Sequence, residues 1–265
     1  VSLTDGSLVS ASTFASGEGG SLKVFASDSV ELVNSKLLAA TSGEGNAGAL
    51  SIATGNLRVE DQSAVATLSL GNGDAGDLSI DVDRLIVTDG LVTTSTIGSS
   101  SVGGVPGQGR GGNLTINASE SVELTAQSTN AQITLDIPIP GFGTWQLTAP
   151  VGLFTTSQSN GDAGSLSVDT RRLIVQGGAS ASTSTSGGGQ GGNLNVNASE
   201  SVELIGVSGD AKIASGLFSE NRSVAEDVKG GDITINTPNL FIRDGAVVST
   251  ATGDLDENKA DAIKG

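Results

Sequence analysis

The sequence predicts an all-β fold, a parallel β-helix solenoid, and three observations predict it. A glycine cluster followed by a Leu/Ile-x-Val/Ile stretch recurs along the 265 residues with a base spacing of 28. Each period holds three short stretches of alternating apolar and polar residues, separated by turn signals. The apolar fraction of 36% comes almost wholly from Val, Ile, Leu and Ala, with six Phe, one Trp and no Tyr. A chain of this kind can bury a core only in many small aliphatic portions. Short strands cannot cover an apolar face alone, but stacked on copies of themselves they can.

The copies, in order, are GEGGSLKV at 17–24, GNAGALSI at 45–52, GDAGDLSI at 73–80, GRGGNLTI at 109–116, GDAGSLSV at 161–168, GQGGNLNV at 189–196 and KGGDITI at 229–235. Their anchors are Leu22, Leu50, Leu78, Leu114, Leu166, Leu194 and Ile233, spaced by 28, 28, 36, 52, 28 and 39 residues. The anchors predict one inward column. Val24, Ile52, Ile80, Ile116, Val168, Val196 and Ile235 predict a second. The glycines of these clusters are expected to supply positive φ at the corners of the coil.

The first apolar residue of a second strand falls 7 or 8 residues after each anchor, as in NLRV at 56–59, RLIV at 84–87, SVEL at 121–124 and NLFI at 239–242. Its outward column reads Glu31, Arg58, Ile86, Glu123, Ile174, Glu203 and Phe241. No two glutamates are adjacent, which avoids like charges across neighbouring strands. The third strand follows a tight turn, often Asp-Gly, and is rich in Ala, Val, Ser and Thr (LVTTST at 91–96, AVVSTAT at 246–252). The chain is expected to form about eight coils of some 28 residues in a single repeat domain over 1–265, a rod of roughly 35–40 Å. It begins and ends in mid-pattern and reads as a fragment of something longer.

Absent residue types narrow the chemistry. Without Cys there is no thiol nucleophile, disulfide or Cys-ligated metal, and without His there is no Ser-His-Asp triad or imidazole ligand. The net charge of −16 repels phosphate backbones and anionic lipid, so nucleic acid and membrane insertion are not expected.

The motifs GRGGNLTINASESVEL at 109–124, GQGGNLNVNASESVEL at 189–204, GDAGDLSIDVDRLIV at 73–87 and GDAGSLSVDTRRLIV at 161–175 resemble the repeat region of cyanobacterial filamentous-haemagglutinin-like exoproteins. The resemblance covers essentially the whole chain apart from its insertions. It implies a right-handed parallel β-helix, export by two-partner secretion with an outer-membrane secretion partner, and a role in surface attachment.

The unit between Leu114 and Leu166 carries a 24-residue excess. Residues 129–150 are expected to leave the stack as an insertion loop or hairpin. The stretch holds the sole Trp, Trp145, with Phe142 and Asp136, and these three are the candidate binding residues for a surface glycan or protein receptor. The competing reading is a plain hairpin, or one folded back on the solenoid flank. The segment adds no member to the inward columns, so its loss is expected to cost little folding energy.

Ser/Thr runs on the third face read as strand ends with small side chains at a tight corner; an ice-binding array is the weaker reading. Acidic glycine loops such as Gly73–Asp77 and Gly161-Asp162 read as solvated turns, so no metal or cofactor is expected. β-Helices can carry carboxylate pairs for glycosidic cleavage, which places Asp81, Asp83 and Asp169 under consideration. Arg171 and Arg172 beside Asp169 read better as corner ion pairing, and no catalytic residue is assigned. These features together predict a non-enzymatic shaft of a secreted surface adhesin, with self-association between rods as a further option. A carbohydrate-active β-helix enzyme and a structural component of a surface layer or sheath are the alternatives.

Overall fold

The computed structural model describes residues 1–14, 16–97, 107–139, 143–223 and 228–252. Its described residues contain strands and turns and no helix, and the strands stack as a parallel β-helix. The first sheet runs β1 (Ser2–Leu3), β4 (Ser29–Val33), β6 (Leu50–Glu60), β8 (Leu78–Thr88), β10 (Leu114–Thr125), β14 (Leu166–Gln176), β16 (Leu194–Ile205) and β18 (Ile233–Asn236). Beside it, β3 (Leu22–Phe25) pairs with β6 and β19 (Leu240–Arg243) with β16. The second sheet runs β2 (Leu8–Thr13), β5 (Lys36–Thr41), β7 (Ala64–Ser69), β9 (Leu91–Thr96), β13 (Gly152–Ser157), β15 (Ser180–Thr185), β17 (Gly216–Asn221) and β20 (Val247–Thr252). Among the described strands, β11 (Gln132–Ile139) and β12 (Gly143–Pro150) stand apart, as an antiparallel hairpin.

The registers pair the two inward columns rung by rung, from Leu22 with Leu50 to Leu194 with Ile233, and from Val24 with Ile52 to Val196 with Ile235. Between Leu50 and Val196 every member is 1% exposed or less, which makes these columns the core. The outward column also holds its order, Glu31 opposite Arg58 and Glu123 between Ile86 and Ile174.

The first and second strands of a coil are not separated in the five central coils. They run on as β6, β8, β10, β14 and β16, each of 11 or 12 residues. The corner residues remain extended, and the rungs are interrupted only at the apex (Gly55, Asp83, Ser119-Glu120 and Arg171), after which the ladder resumes at once. An eight-residue corner stacked on a seven-residue one must place one residue more, and the structure absorbs it as a bulge between Ala118 and Ser121. The extra length carries a glutamate outward. Glu120 thereby meets Arg84, and Glu200 meets Arg171. Arg171 and Arg172 thus pair with Glu200 of the next coil and not with the nearer-in-sequence Asp169. Glu200 holds the Arg171 guanidinium above its ordinary pKa through their hydrogen bond.

The cluster glycines have a different cause from the expected one. None of them has positive φ; that conformation falls at turn pairs such as Asp5-Gly6, Asp61-Gln62 and Asp244-Gly245. A Cβ at Gly73 would overlap the carbonyl oxygen of Gly45, one at Gly109 that of Gly73, and one at Gly112 that of Gly76. Backbone rests directly on backbone along this edge, and only hydrogen fits between. Gly112→Ala is therefore expected to lower the urea midpoint by the equivalent of about 2 kcal/mol or more, because the obstacle is main chain that cannot rotate away. Gly20→Ala, with nothing near its Cβ position, is the matched control and should shift it little.

Close stacking leaves the glycine carbonyls inside the coil, where they need donors. The third strand supplies them. Thr67, Thr94, Thr155 and Thr183 share one buried column and donate to the carbonyls of Gly76, Gly112, Gly164 and Gly192. A second column places Thr41 on Gly45 O at 2.8 Å and Ser157 on Gly161 O at 2.7 Å. Thr185 belongs to that second column but lacks a partner, since Gly189 O accepts from Asn221 of the following coil. The inward half of the Ser/Thr runs is thus explained by carbonyl capping rather than by small size alone.

Candidate binding face

The 24-residue excess enters at the turn between the long strand and the short one, after β10 and before β13. There the hairpin β11–β12 folds back over the outer face of the second sheet. The alternation of β11 dictates this: Ile133, Leu135 and Ile137 are buried, while Gln132, Thr134 and Asp136 are exposed. Leu135, Ile137 and, from β12, Leu147 sit over the outward side chains Leu38, Ala64, Ala66, Leu68 and Leu91. Leu68 and Leu91 are consequently no more than 1% exposed, although they point away from the solenoid interior. The insertion adds nothing to the inward columns but builds a second apolar layer outside them, which removes the basis for treating it as dispensable.

Most of the 11-residue excess in the next unit but one enters at the same turn. Its segment between β16 and β17 packs against the base of the hairpin, with the Asp210 N–H donating to Thr129 O at 2.9 Å. Gly178, at φ 91°, passes between the two insertions; a Cβ there would press on both Ala131 and Ser208. The Ser208 hydroxyl, 2.6 Å from Asp210, is the main cause that holds this carboxylate below its ordinary pKa.

Of the three candidate residues, Asp136 is exposed on β11 and accepts a hydrogen bond from Gln146 Nε2 at 3.0 Å. Trp145 lies on the adjacent rung of the hairpin, opposite Ile137. Phe142 lies outside the described residues. The hairpin therefore brings Asp136 and Trp145 to neighbouring rungs at its outer half.

The structure gathers residues that the sequence placed in Ser/Thr runs but did not assign to a binding site. Beyond β12 the outer face of the second sheet continues across β9, β13 and β15, and a cleft of about 250 Å³ opens between the two. Its wall is Leu147 to Pro150 of β12, and its floor is Ser95, Phe154, Thr156 and Ser184, with Gln158 and Arg222 at the rim. Thr156 Oγ1 donates to Ser95 Oγ at 2.8 Å, and Ser182 and Ser184 share a 2.6 Å hydrogen bond. Arg222 is paired with Glu220 at 2.8 Å. The signal for this floor was present in the Ser/Thr runs. Alternation divides the runs of β9, β13 and β15 into inward members, most of which cap carbonyls, and outward members that line the cleft.

The acidic corner residues are engaged with the next coil. Asp81 accepts from Asn117 Nδ2 at 2.7 Å, Asp83 from Ser119 Oγ at 2.7 Å, and Asp169 from Asn197 Nδ2 at 2.8 Å. Asn117 stands between Asp81 and Asp169 in the ladder, so like charges are kept apart. Asp74 and Asp162, in the glycine loops, each accept a backbone N–H of the coil above, from Arg110 at 2.7 Å and Gln190 at 2.9 Å. Among the described residues, no three acidic side chains converge as a metal ion would require. No protein-family model, characterised protein or solved structure matches the chain.

Proposed function

We propose that this chain is a non-enzymatic shaft segment of a secreted surface adhesin, exported with an outer-membrane partner, that extends and presents binding regions for attachment. The observation that carries the reading is the uninterrupted ladder of two aliphatic columns through seven successive coils. Each coil contacts chiefly its neighbours, so length is gained by repetition without a new core. Both described insertions leave from one edge and fold onto the outside, so they add surface without breaking the stack. The likeness of the NASESVEL and GDAG motifs to exoprotein repeats supports the extracellular setting.

The test is location and use on the cells that make the protein. Antibodies raised against this chain should label intact, unpermeabilised cells, and their Fab fragments should reduce attachment of those cells to a surface. Labelling confined to permeabilised cells would contradict the reading.

A further inference from the structure

We infer that the cleft between β12 and the outer face of β9, β13 and β15 is a binding site for a neutral saccharide of one or two rings. The inference rests on the surface-attachment reading for its biological setting, but its chemistry is independent of it. Three features of the cleft point to this ligand.

The first is the lining. Ser95, Thr156 and Ser184 stand on three successive strands of one parallel sheet, in register at about 4.8 Å per strand. They form a fixed row of hydroxyls. Each hydroxyl has one donor and two acceptor positions, and the pairs already formed use only part of that capacity. A ligand rich in hydroxyl groups satisfies such a row by both giving and accepting. A simple ion cannot, because it engages either the oxygens or the hydrogens of the row and not both.

The second is the mixture with apolar surface. Phe154 lies on the floor, and Leu147, Ala149 and Pro150 form the wall. A pyranose ring presents the same division, C–H groups on its faces and hydroxyls round its edge. Phe154 and Leu147 provide for the face, and the hydroxyl row and Gln158 provide for the edge.

The third is charge and size. Among the described residues Arg222 is the one charged residue lining the cleft, and Glu220 already neutralises it. Together with a net charge of −16 this disfavours acidic ligands. The volume of about 250 Å³ is below the ~300–1,000 Å³ of clefts that take drug-sized molecules, which limits the occupant to one or two rings.

The experiment is a saturation-transfer NMR titration of the chain with methyl glycosides of glucose, galactose, mannose, N-acetylglucosamine and fucose, and with cellobiose and lactose. At least one of these is expected to bind. Ala149→Phe fills the cleft from the hairpin side, and Thr156→Val removes one floor hydroxyl at nearly constant volume. Both positions are half-buried, so both variants should keep the wild-type far-UV CD spectrum. Each is expected to weaken binding at least tenfold. The inference is overturned if none of the seven saccharides binds. It is equally overturned if binding survives in both variants, or if it is lost in Trp145→Ala while both variants retain it, which would move the site to the outer half of the hairpin. The antibody experiment can fail while this titration succeeds, and the reverse, so the two readings are separable.

Discussion

Replacing Leu114 by Asp is expected to unfold the middle of the rod, whereas replacing the adjacent Thr115 by Asp is expected to leave it folded. Leu114 is wholly buried and pairs with Leu78 on one side and Leu166 on the other. An aspartate there loses the aliphatic contacts with both neighbours and places a carboxylate among leucines, with no donor in reach. Removing a buried leucine side chain alone costs about 2–5 kcal/mol, and an unpaired buried charge adds several more. That total is comparable with the whole stability of a typical domain, about 5–15 kcal/mol. Thr115 sits one residue on and faces outward, between Ser79 and Ser167, half-buried. An aspartate at that position keeps its hydration and changes stability by about 1 kcal/mol or less. Urea unfolding followed by far-UV CD separates the two. Equal midpoints would mean that the inward and outward faces have been exchanged.

The second large effect is expected from the hairpin. Leu135→Asp, or replacement of residues 129–150 by a short turn, should lower the melting temperature and expose apolar surface. Leu135 is 1% exposed and lies over the second sheet, where Leu38, Leu68 and Leu91 depend on the hairpin for their burial. Losing one such side chain costs about 2–4 kcal/mol, which corresponds to a fall of roughly 5–10 °C for a chain of this size. Uncovering the face beneath it leaves an aliphatic patch on a parallel sheet, and such patches promote association. Thermal melting with an apolar dye as reporter checks both parts. An unchanged melting temperature without dye binding would show that the hairpin is an appendage and that the second apolar layer contributes nothing.

The legible part of the fold was its periodic part. Leu22 to Ile233 could be placed in one column from spacing alone, because strand alternation and coil stacking are both strict. The lengths of the first corner, seven or eight residues, likewise fixed which residue faced which across the Ala118 bulge. Two features were hidden for physical reasons. The glycine clusters look the same whether glycine is needed for positive φ or for contact between backbones. That distinction depends on the distance between coils, as at Gly73 and Gly45. The hairpin was hidden because Ile133, Leu135 and Ile137 alternate as a strand of any kind would, and nothing local says what they cover. Leu38, Leu68 and Leu91 carried a hint: large aliphatic residues at outward positions of the third strand require something above them. Of the candidate binding residues, Asp136 and Trp145 could be grouped from their shared insertion. The cleft floor at Ser95, Thr156 and Ser184 joins three strands separated by insertions, and only the register brings them together.

The fold rests above all on successive coils lying directly on one another. The chain contains no cysteine, so a pair introduced as Ser51→Cys and Asn195→Cys can be spin-labelled without background. These positions belong to one outward column, through Ser79, Thr115 and Ser167, and are four rungs apart. At about 4.8 Å per rung their backbones should be about 19 Å apart. Double electron–electron resonance is predicted to give a single narrow distribution near that value. A distribution centred beyond about 30 Å, or one without a defined maximum, would contradict the stack.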